Sequence, residues 1–332
     1  MQYWFENLFG FEEVSPENVR EKLTVDGTRL TSMVNGKSFD CGTLEILTLN
    51  ELRGRMNAIS SLGGKLRVTE IVGDAASLHR DPANAGASFQ VASQFNLLEM
   101  TSPNVTPDQG IGIYSGDPTQ GPACAIACGA GTVYRNYFVP LDGQIGQTAK
   151  KQVVCVAEIG ETLGNNDGSL WNMQNGYLLP TRDSLGRVSN KLKSMTEEDL
   201  NELRGKLQIG VQQNAQVTLG DCEHHITQMY CSALPVAYCN FPTSDWKRFA
   251  QFILDAAYEA TFCAAIANAV QTGNRSLYLT LLGGSAFGNE ADWIFSAIRR
   301  SLEIFRSHAL DVRVVSYQHS NSDVQELVAT FR

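Results

Sequence analysis

The residues best suited to chemistry sit where apolar runs end. Leu279-Thr280-Leu281-Leu282 leads into Gly283-Gly284-Ser285-Ala286-Phe287-Gly288-Asn289, and an amphipathic stretch follows. Glycines let a backbone approach a ligand closely and turn its N–H groups inward. A helix opening a few residues later would aim its positive end at a phosphate. The turn lacks the Lys-Ser/Thr of a P-loop and the G-x-G-x-x-G of a dinucleotide fold, so alone it reads as structural as readily as ligand-binding.

Two further segments have the same form. Ile71-Val72-Gly73-Asp74 ends an apolar run just before Ala75 to Arg80, where Asp74 can cap a short helix or accept an adenine amino group. Phe89 to Asn96 reads as a strand ending in Ser93-Gln94-Phe95-Asn96, with Leu97-Leu98-Glu99-Met100 behind it. A loop from Thr101 to Thr119 carries Asp108 and Asp117. Gln120-Gly121-Pro122-Ala123-Cys124-Ala125-Ile126 then reads as a helix start, closed by Gly129-Ala130-Gly131. A polar strand end followed by an acidic loop and a helix is a common site of α/β catalysis. A single acidic loop residue, by contrast, is most often just solvated.

Other clusters carry less. Asp221-Cys222-Glu223-His224-His225 has metal-ligand types, but adjacent histidines cannot easily share one ion and no second cluster is spaced for it, so no metal is expected. Cys124 or Cys231 could pair with a histidine as a nucleophile, but neither has a local signature. Ser232 to Tyr238 reads as a buried strand passing near the ligand, with Tyr238 packing rather than reacting.

These segments need elements to hold them. Leu66–Val72, Phe89–Asn96, Thr132–Phe138, Ile226–Ala233, Ser276–Leu282 and Val312–Tyr317 read as strands, several nearly all apolar as strands covered on both faces are. Helices fall between them. One opens at Thr196-Glu197-Glu198-Asp199, and a long one after Ser244 carries Trp246, Phe249, Ile253, Ala257 and Ala264 on one face. Another follows Asn289, with Trp293, Ile294, Ala297, Ile298, Leu302 and Phe305 as its core stripe. The alternation predicts an α/β fold, three-layer α/β/α around a central mixed sheet. Residues 1–64 read as a small N-terminal α+β appendage to a domain spanning 65–332. In the appendage Ser15-Pro16-Glu17 opens a helix, Asn35-Gly36 turns a hairpin, and Thr48 with Glu51 caps a helix through Met56. Ser60 to Gly64 reads as a linker, and residues 142–190 as long loops around one helix from Gln152 to Leu163.

The chain has 332 residues, 43% apolar, enough to bury a core without staples. Its eight cysteines form no CxxC pair and read as buried thiols in a reducing compartment. A net charge of -9 argues against bulk nucleic-acid binding. The first ten residues lack a basic region and an apolar run, so no signal peptide is expected. A cytoplasmic, nuclear or host-cytosol setting follows, with no membrane partner.

The three chemistry-bearing segments occur in the order found in macrodomains. Gly283-Gly284-Ser285-Ala286-Phe287-Gly288-Asn289 resembles the diphosphate loop of the poly(ADP-ribose) glycohydrolase branch. The resemblance spans roughly residues 65–317, and the nearest group is the atypical macrodomains that include the bacterial effector MavL. There are departures. Ser93-Gln94-Phe95-Asn96 replaces the usual Asn-Ala-Ala-Asn turn, Asp117-Pro118-Thr119-Gln120-Gly121-Pro122 replaces the glycine triplet, and the paired glutamates of the glycohydrolases are missing.

What the resemblance implies is a macrodomain-like fold whose ligand is ADP-ribose. Asp74 would meet adenine, Gln94, Asn96, Gln120 and Gly121 the distal ribose, and Gly283, Gly284, Ser285, Ala286, Phe287, Gly288 and Asn289 the diphosphate. Members of the group are associated with removing ADP-ribose from arginine, including on ubiquitin. Cleaving that N-glycosidic bond needs support for an oxocarbenium-like transition state and an activated water, both of which carboxylates supply. Glu99, Asp108 and Asp117 are the acids nearest the expected ribose pocket, and no cofactor is required. The expectation is an ADP-ribosyl-protein hydrolase. The alternatives are a non-catalytic ADP-ribose reader and an enzyme on free ADP-ribose derivatives.

Overall fold

The computed structural model describes residues 3–59 and 62–331. Seven strands form the central sheet: β1 (Thr43–Thr48), β2 (Arg67–Val72), β3 (Ser88–Ala92), β4 (Gln208–Gln216), β5 (His225–Cys231), β6 (Ser276–Leu279) and β7 (Asp311–Ser316). Their spatial order is β1-β4-β5-β3-β6-β7-β2. β4 lies antiparallel to both neighbours, while β5, β3, β6, β7 and β2 pair in parallel, so the sheet is mixed.

Alternation along the strands explains their apolar character. Phe89 of β3 lies against His79 on one face, whereas its neighbour Gln90 donates to Thr261 on the other (3.0 Å). The first face is covered by α2 (Ala75–Arg80), α3 (Gln120–Ala127) and Gly129–Val133. The second is covered by α1 (Leu49–Ala58), the 30-residue α4 (Thr243–Thr272), α5 (Ala291–Ile304) and α6 (Ser322–Thr330). By length and composition α4 could cross a membrane, but 89% of its most apolar stretch is buried within the protein.

Local signals hold where caps are chemical. Ser15, Thr48, Asp74 and Thr196 each accept the N–H three residues on, and Thr48 and Thr196 close full capping boxes. Elsewhere tertiary packing overrides the local reading. Residues 132–138, expected as a strand, continue in helical turns through Phe138, and the glycines at 129 and 131 open that stretch rather than end α3. Winding puts Thr132 and Arg135 on one side, facing the interior, which a strand would not do. β3 stops at Ala92, residues 232–238 form an irregular segment with a short 3-10 turn at Val236–Tyr238, and the helix expected from Gln152 starts at Ala157.

The N-terminal region is also divided differently. Residues 43–58, expected within the appendage, form the edge strand β1, paired with β4 from Thr43↔Gln213 to Thr48↔Gln208, and the helix α1 packed on α4. Residues 3–42 do form an α+β unit, with helices Tyr3–Phe9 and Pro16–Lys22 and a three-stranded antiparallel sheet. Of the linker reading, Ser60 and Ser61 lie outside the described residues, while Gly63 bridges to His308. The cysteines are all free, six buried and Cys222 and Cys239 partly so. Burial pushes the Cys124 thiol pKa well above its usual value and that of Cys231 up to about 12, which disfavours the thiolate a nucleophile needs.

One buried acid, bridged by two arginines, ties α1 to the helical layer. Glu259 of α4, 4% exposed, accepts from Arg53 (2.7 Å) and from Arg300 of α5 (2.6 Å). Glu259→Ala leaves two arginines facing each other without their acid. It is expected to destabilise the chain by about 2–4 kcal/mol in equilibrium urea unfolding.

Candidate active site

The C-terminal ends of the parallel strands open into one cleft. β3 and β6 pair only at Ser88↔Leu277 and Phe89↔Tyr278, then part. The Gln120 side chain fills the gap as a false strand: its Oε1 accepts Ala92 N–H and its Nε2 donates to the Gln90 carbonyl, both at 2.9 Å. Gly121 must lack a side chain for this, since a Cβ there would stand 2.0 Å from the Ala92 carbonyl oxygen. Gln120 and Gly121 therefore dock α3 onto the strand end, and both line the cleft.

The cleft has two chambers sharing Thr119, Gln120, Thr280, Leu281 and Ser285. The larger, about 980 Å³, lies between Gly73-Asp74, the start of α5, the loop from Tyr317 to Asn321 and the start of α6. The smaller, about 90 Å³, is lined by Gln94, Glu99, Asp117, Tyr177, Tyr238 and Phe287 among others. Tyr177, Tyr238 and Phe287 contact one another with ring centroids 4.9–5.6 Å apart and form its aromatic wall.

The glycine turn runs along the boundary between them. Tyr258 of α4 fixes its start, donating to the Thr280 carbonyl (2.7 Å) and accepting Leu282 N–H (2.9 Å). Asn289 closes it, with its N–H on the Gly283 carbonyl (2.9 Å) and its Nδ2 on the Leu234 carbonyl (2.8 Å). Gly283 and Gly288 adopt φ of +75° and +70°. A Cβ on Gly283 would lie 2.4 Å from that of Ala233. Gly284 has no such φ, so its freedom of backbone is not what the turn uses. Among the described residues the N–H groups of Ser285, Ala286 and Phe287 make no hydrogen bond. Successive free N–H groups on a tight turn form an anion-binding concavity.

The expected site residues divide. Asp74 lines the larger chamber, with its Oδ1 and Oδ2 on the N–H (2.9 Å) and hydroxyl (2.7 Å) of Ser77, which hold its pKa below the usual carboxylate value. Asp117 lines the smaller chamber, and its Oδ1 accepts the Thr119 N–H (2.9 Å) and hydroxyl (2.6 Å). Gln94 reaches the chamber but braces the loop, its Oε1 accepting Met100 N–H (2.8 Å). Three residues line neither chamber: Gly288 at the end of the glycine turn, Asn96 and Asp108. Asn96 is fully buried beneath the 175–176 turn, donating to Gln152 (2.9 Å) and accepting Leu98 N–H (3.1 Å). Asp108 lines neither chamber; its Oδ2 accepts Ala149 N–H (2.5 Å). The chain turns between Asn96 and Leu98, where Leu97 has φ +65°.

Glu99 is not a solvated loop acid. It is 2% exposed, and its Oε1 lies 3.5 Å from Nη2 of Arg135, which is itself fully buried. Arg135 also donates to the Leu97 carbonyl (3.0 Å), Thr132 Oγ1 (3.2 Å) and the Tyr230 hydroxyl (2.5 Å), and lies 3.6 Å over the Tyr230 ring. Among the described residues Glu99 Oε2 has no hydrogen-bond partner. Burial raises the Glu99 pKa to about 7 against the opposing pull of Arg135. Arg135, Tyr114 and Tyr177 went unassigned in the sequence. A lone arginine within the apolar stretch 129–139 is the signal that could have marked the first, because a buried guanidinium needs an acid. The 221–225 cluster is used elsewhere: Nε2 of His224 lies 2.8 Å from the His79 carbonyl oxygen, and Nε2 of His225 lies 2.9 Å from Asp40.

Glu99 takes up its proton near pH 7 when folded, against 4.5 for a free glutamate, so the folded chain binds more protons across that interval. Its contribution to stability therefore falls as pH rises from 4.5 to about 7 and is flat above. Glu99→Gln is expected to remove this component, a difference in slope worth up to about 3 kcal/mol between pH 4.5 and 8 in urea unfolding. Parallel pH profiles for the two chains would place the Glu99 proton elsewhere.

No family model matches the chain, and no curated protein matches it. Among solved structures the chain is similar to poly(ADP-ribose) glycohydrolase from Thermomonospora curvata bound to the inhibitor ADP-HPD, at 13% identity over 95% of this chain and 96% of that one, with a TM-score of 0.43. It is similar also to the Deinococcus radiodurans poly(ADP-ribose) glycohydrolase in complex with ADP-ribose, at 11% identity over 87% and 92%, with a TM-score of 0.42. Neither likeness carries a residue role into this chain.

Proposed function

We propose that the cleft binds ADP-ribose and that the protein is an ADP-ribosyl-protein hydrolase acting on mono-ADP-ribosylated side chains, arginine first among them. The observation that carries this reading is the run of free N–H groups at Ser285, Ala286 and Phe287, set between a large chamber and a small acid-lined one. A diphosphate on that run leaves one nucleoside half for the chamber beside Asp74 and Tyr317. The other ribose then falls to the chamber of Glu99 and Asp117.

The acids suit cleavage at C1″. In this reading Glu99, protonated near neutrality, gives its proton to the leaving nitrogen as the C1″–N bond breaks. Asp117 takes a proton from the water whose oxygen bonds to C1″, so one water is consumed and the proton gained by Asp117 balances the one given up by Glu99. The aromatic wall limits water around the oxocarbenium-like centre. A second reading, a reader without turnover, draws on the bonds from Asp117 to Thr119 and from Glu99 to Arg135, which give each acid a structural role.

ADP-ribose is expected to raise the melting temperature, and AMP to raise it less, because only the former spans both chambers. No shift with millimolar ADP-ribose removes the binding site. The enzyme and the reader separate in single-turnover release from arginine-, serine- and glutamate-linked substrates, ADP-ribosylated ubiquitin included. Asp117→Ala and Glu99→Gln are each expected to slow release by about a hundredfold or more while ADP-ribose affinity by calorimetry stays within about tenfold. No release by the unmutated protein on any linkage favours the reader.

A further inference from the structure

Glu13 lies in the N-terminal unit, far in sequence from either acid, yet it ends on the loop that carries them. Its Oε1 accepts Ile111 N–H (3.0 Å) and the Tyr137 hydroxyl (2.5 Å), and its Oε2 accepts Gly112 N–H (2.6 Å). Gly110, at φ +87°, leaves the room: a Cβ there would stand 2.5 Å from Glu13 Oε2. Ile111 and Gly112 open the short 3-10 turn Gly112–Gly116, whose last hydrogen bond joins Asp117 N–H to the Tyr114 carbonyl (3.1 Å). Tyr114, fully buried in that turn, accepts Glu99 N–H on its hydroxyl (3.0 Å). The turn thus touches Asp117 at its end and Glu99 at its middle, and is anchored at its start by Glu13. Phe5, Phe9 and Phe11 of the N-terminal unit share one apolar cluster with Leu98, Ile111 and Tyr114, which brings Glu13 to the turn.

We propose that Glu13 is a positioning residue: by holding the first N–H groups of the 112–116 turn it sets Asp117 and Glu99 toward the small chamber, which makes the N-terminal unit part of the active site. Its catalytic consequence rests on the hydrolase reading above. A carboxylate is the side chain that fits, because three donors converge on it and none of its acceptor sites faces an acceptor. Glutamine has one acceptor oxygen, so either way its amide turns, one of the two N–H groups loses its partner.

The test uses Glu13→Ala and Glu13→Gln in the full chain. Amide hydrogen exchange at Ile111, Gly112 and Asp117 is expected to quicken by about tenfold or more in the alanine variant and by less in the glutamine variant, with Val91 and Tyr230 of the central sheet unchanged. Carbon-detected titration of the Glu99 carboxyl is expected to move from its wild-type midpoint in the same order. kcat for release is expected to fall about tenfold or more, with ADP-ribose Kd within about threefold. Unchanged exchange in Glu13→Ala overturns the clamp, and faster exchange with an unmoved Glu99 midpoint and unmoved kcat overturns the positioning role. A Glu13→Ala chain that also loses protection at Val91 is unfolding as a whole, and Glu13→Gln then decides. Wild-type protein without turnover on any linkage overturns the hydrolase reading alone, because exchange and titration are read on the unliganded protein.

Discussion

A guanidinium removed from water governs the arrangement around the small chamber. Arg135 has no exposed surface, so every one of its contacts must replace hydration. It draws in the Leu97 carbonyl from the loop after β3, Thr132 from its own helical turn, Tyr230 from β5 and Glu99 as counter-ion. Removing one partner of such a pair typically costs about 3–5 kcal/mol, because the other is left buried and unmatched. That constraint pins three elements to one point. It also explains why residues 132–138 wind helically instead of extending, since a strand would send Thr132 and Arg135 to opposite faces.

The same pair sets the protonation of Glu99. Arg135 alone would hold Glu99 ionised, but burial of the carboxyl outweighs it and the pKa settles at about 7. A carboxyl poised there exchanges a proton readily at neutral pH, as an acid–base group must. Asp117 occupies another setting: half-buried, at the chamber edge, with one oxygen committed to Thr119. Two carboxyls of one chemical kind are thereby placed in unlike environments. The unlikeness comes from burial against Arg135 in one case and from the Thr119 bonds at the chamber edge in the other.

The cleft itself is a consequence of sheet geometry. β3 and β6 share only two residue pairs before diverging, and a parting of parallel strands leaves backbone groups to be satisfied. Gln120 satisfies two of them and so seats α3 against the strand end. The glycine turn after β6 is held at both ends, by Tyr258 and Asn289, and its middle N–H groups stay free. A concavity of free N–H groups is thus built by bonding its flanks rather than by placing a cation at its centre. That is consistent with a chain whose net charge is -9.

What the sequence determined by itself was whatever depends on neighbours a few residues apart. The caps at Ser15, Thr48, Asp74 and Thr196, the helical stripe of Trp293, Ile294, Ala297 and Ile298, and the glycine turn from 283 to 288 were all legible, as was the α/β layering they imply. Asp117 and Glu99 were legible as residue types, but their environments were not. Asp108 and Glu99 looked alike in the sequence, yet one bonds a backbone amide outside the cleft while the other is buried on an arginine 36 residues away. Tertiary structure alone decided that β1 belongs to the central sheet, that Asn96 turns inward, away from the cleft, and that Glu13 reaches a turn 98 residues along the chain. The reason is physical: a capping bond forms between groups that the local backbone already brings together, whereas the partner of a buried charge is chosen by the whole fold, through the cost of leaving that charge unpaired.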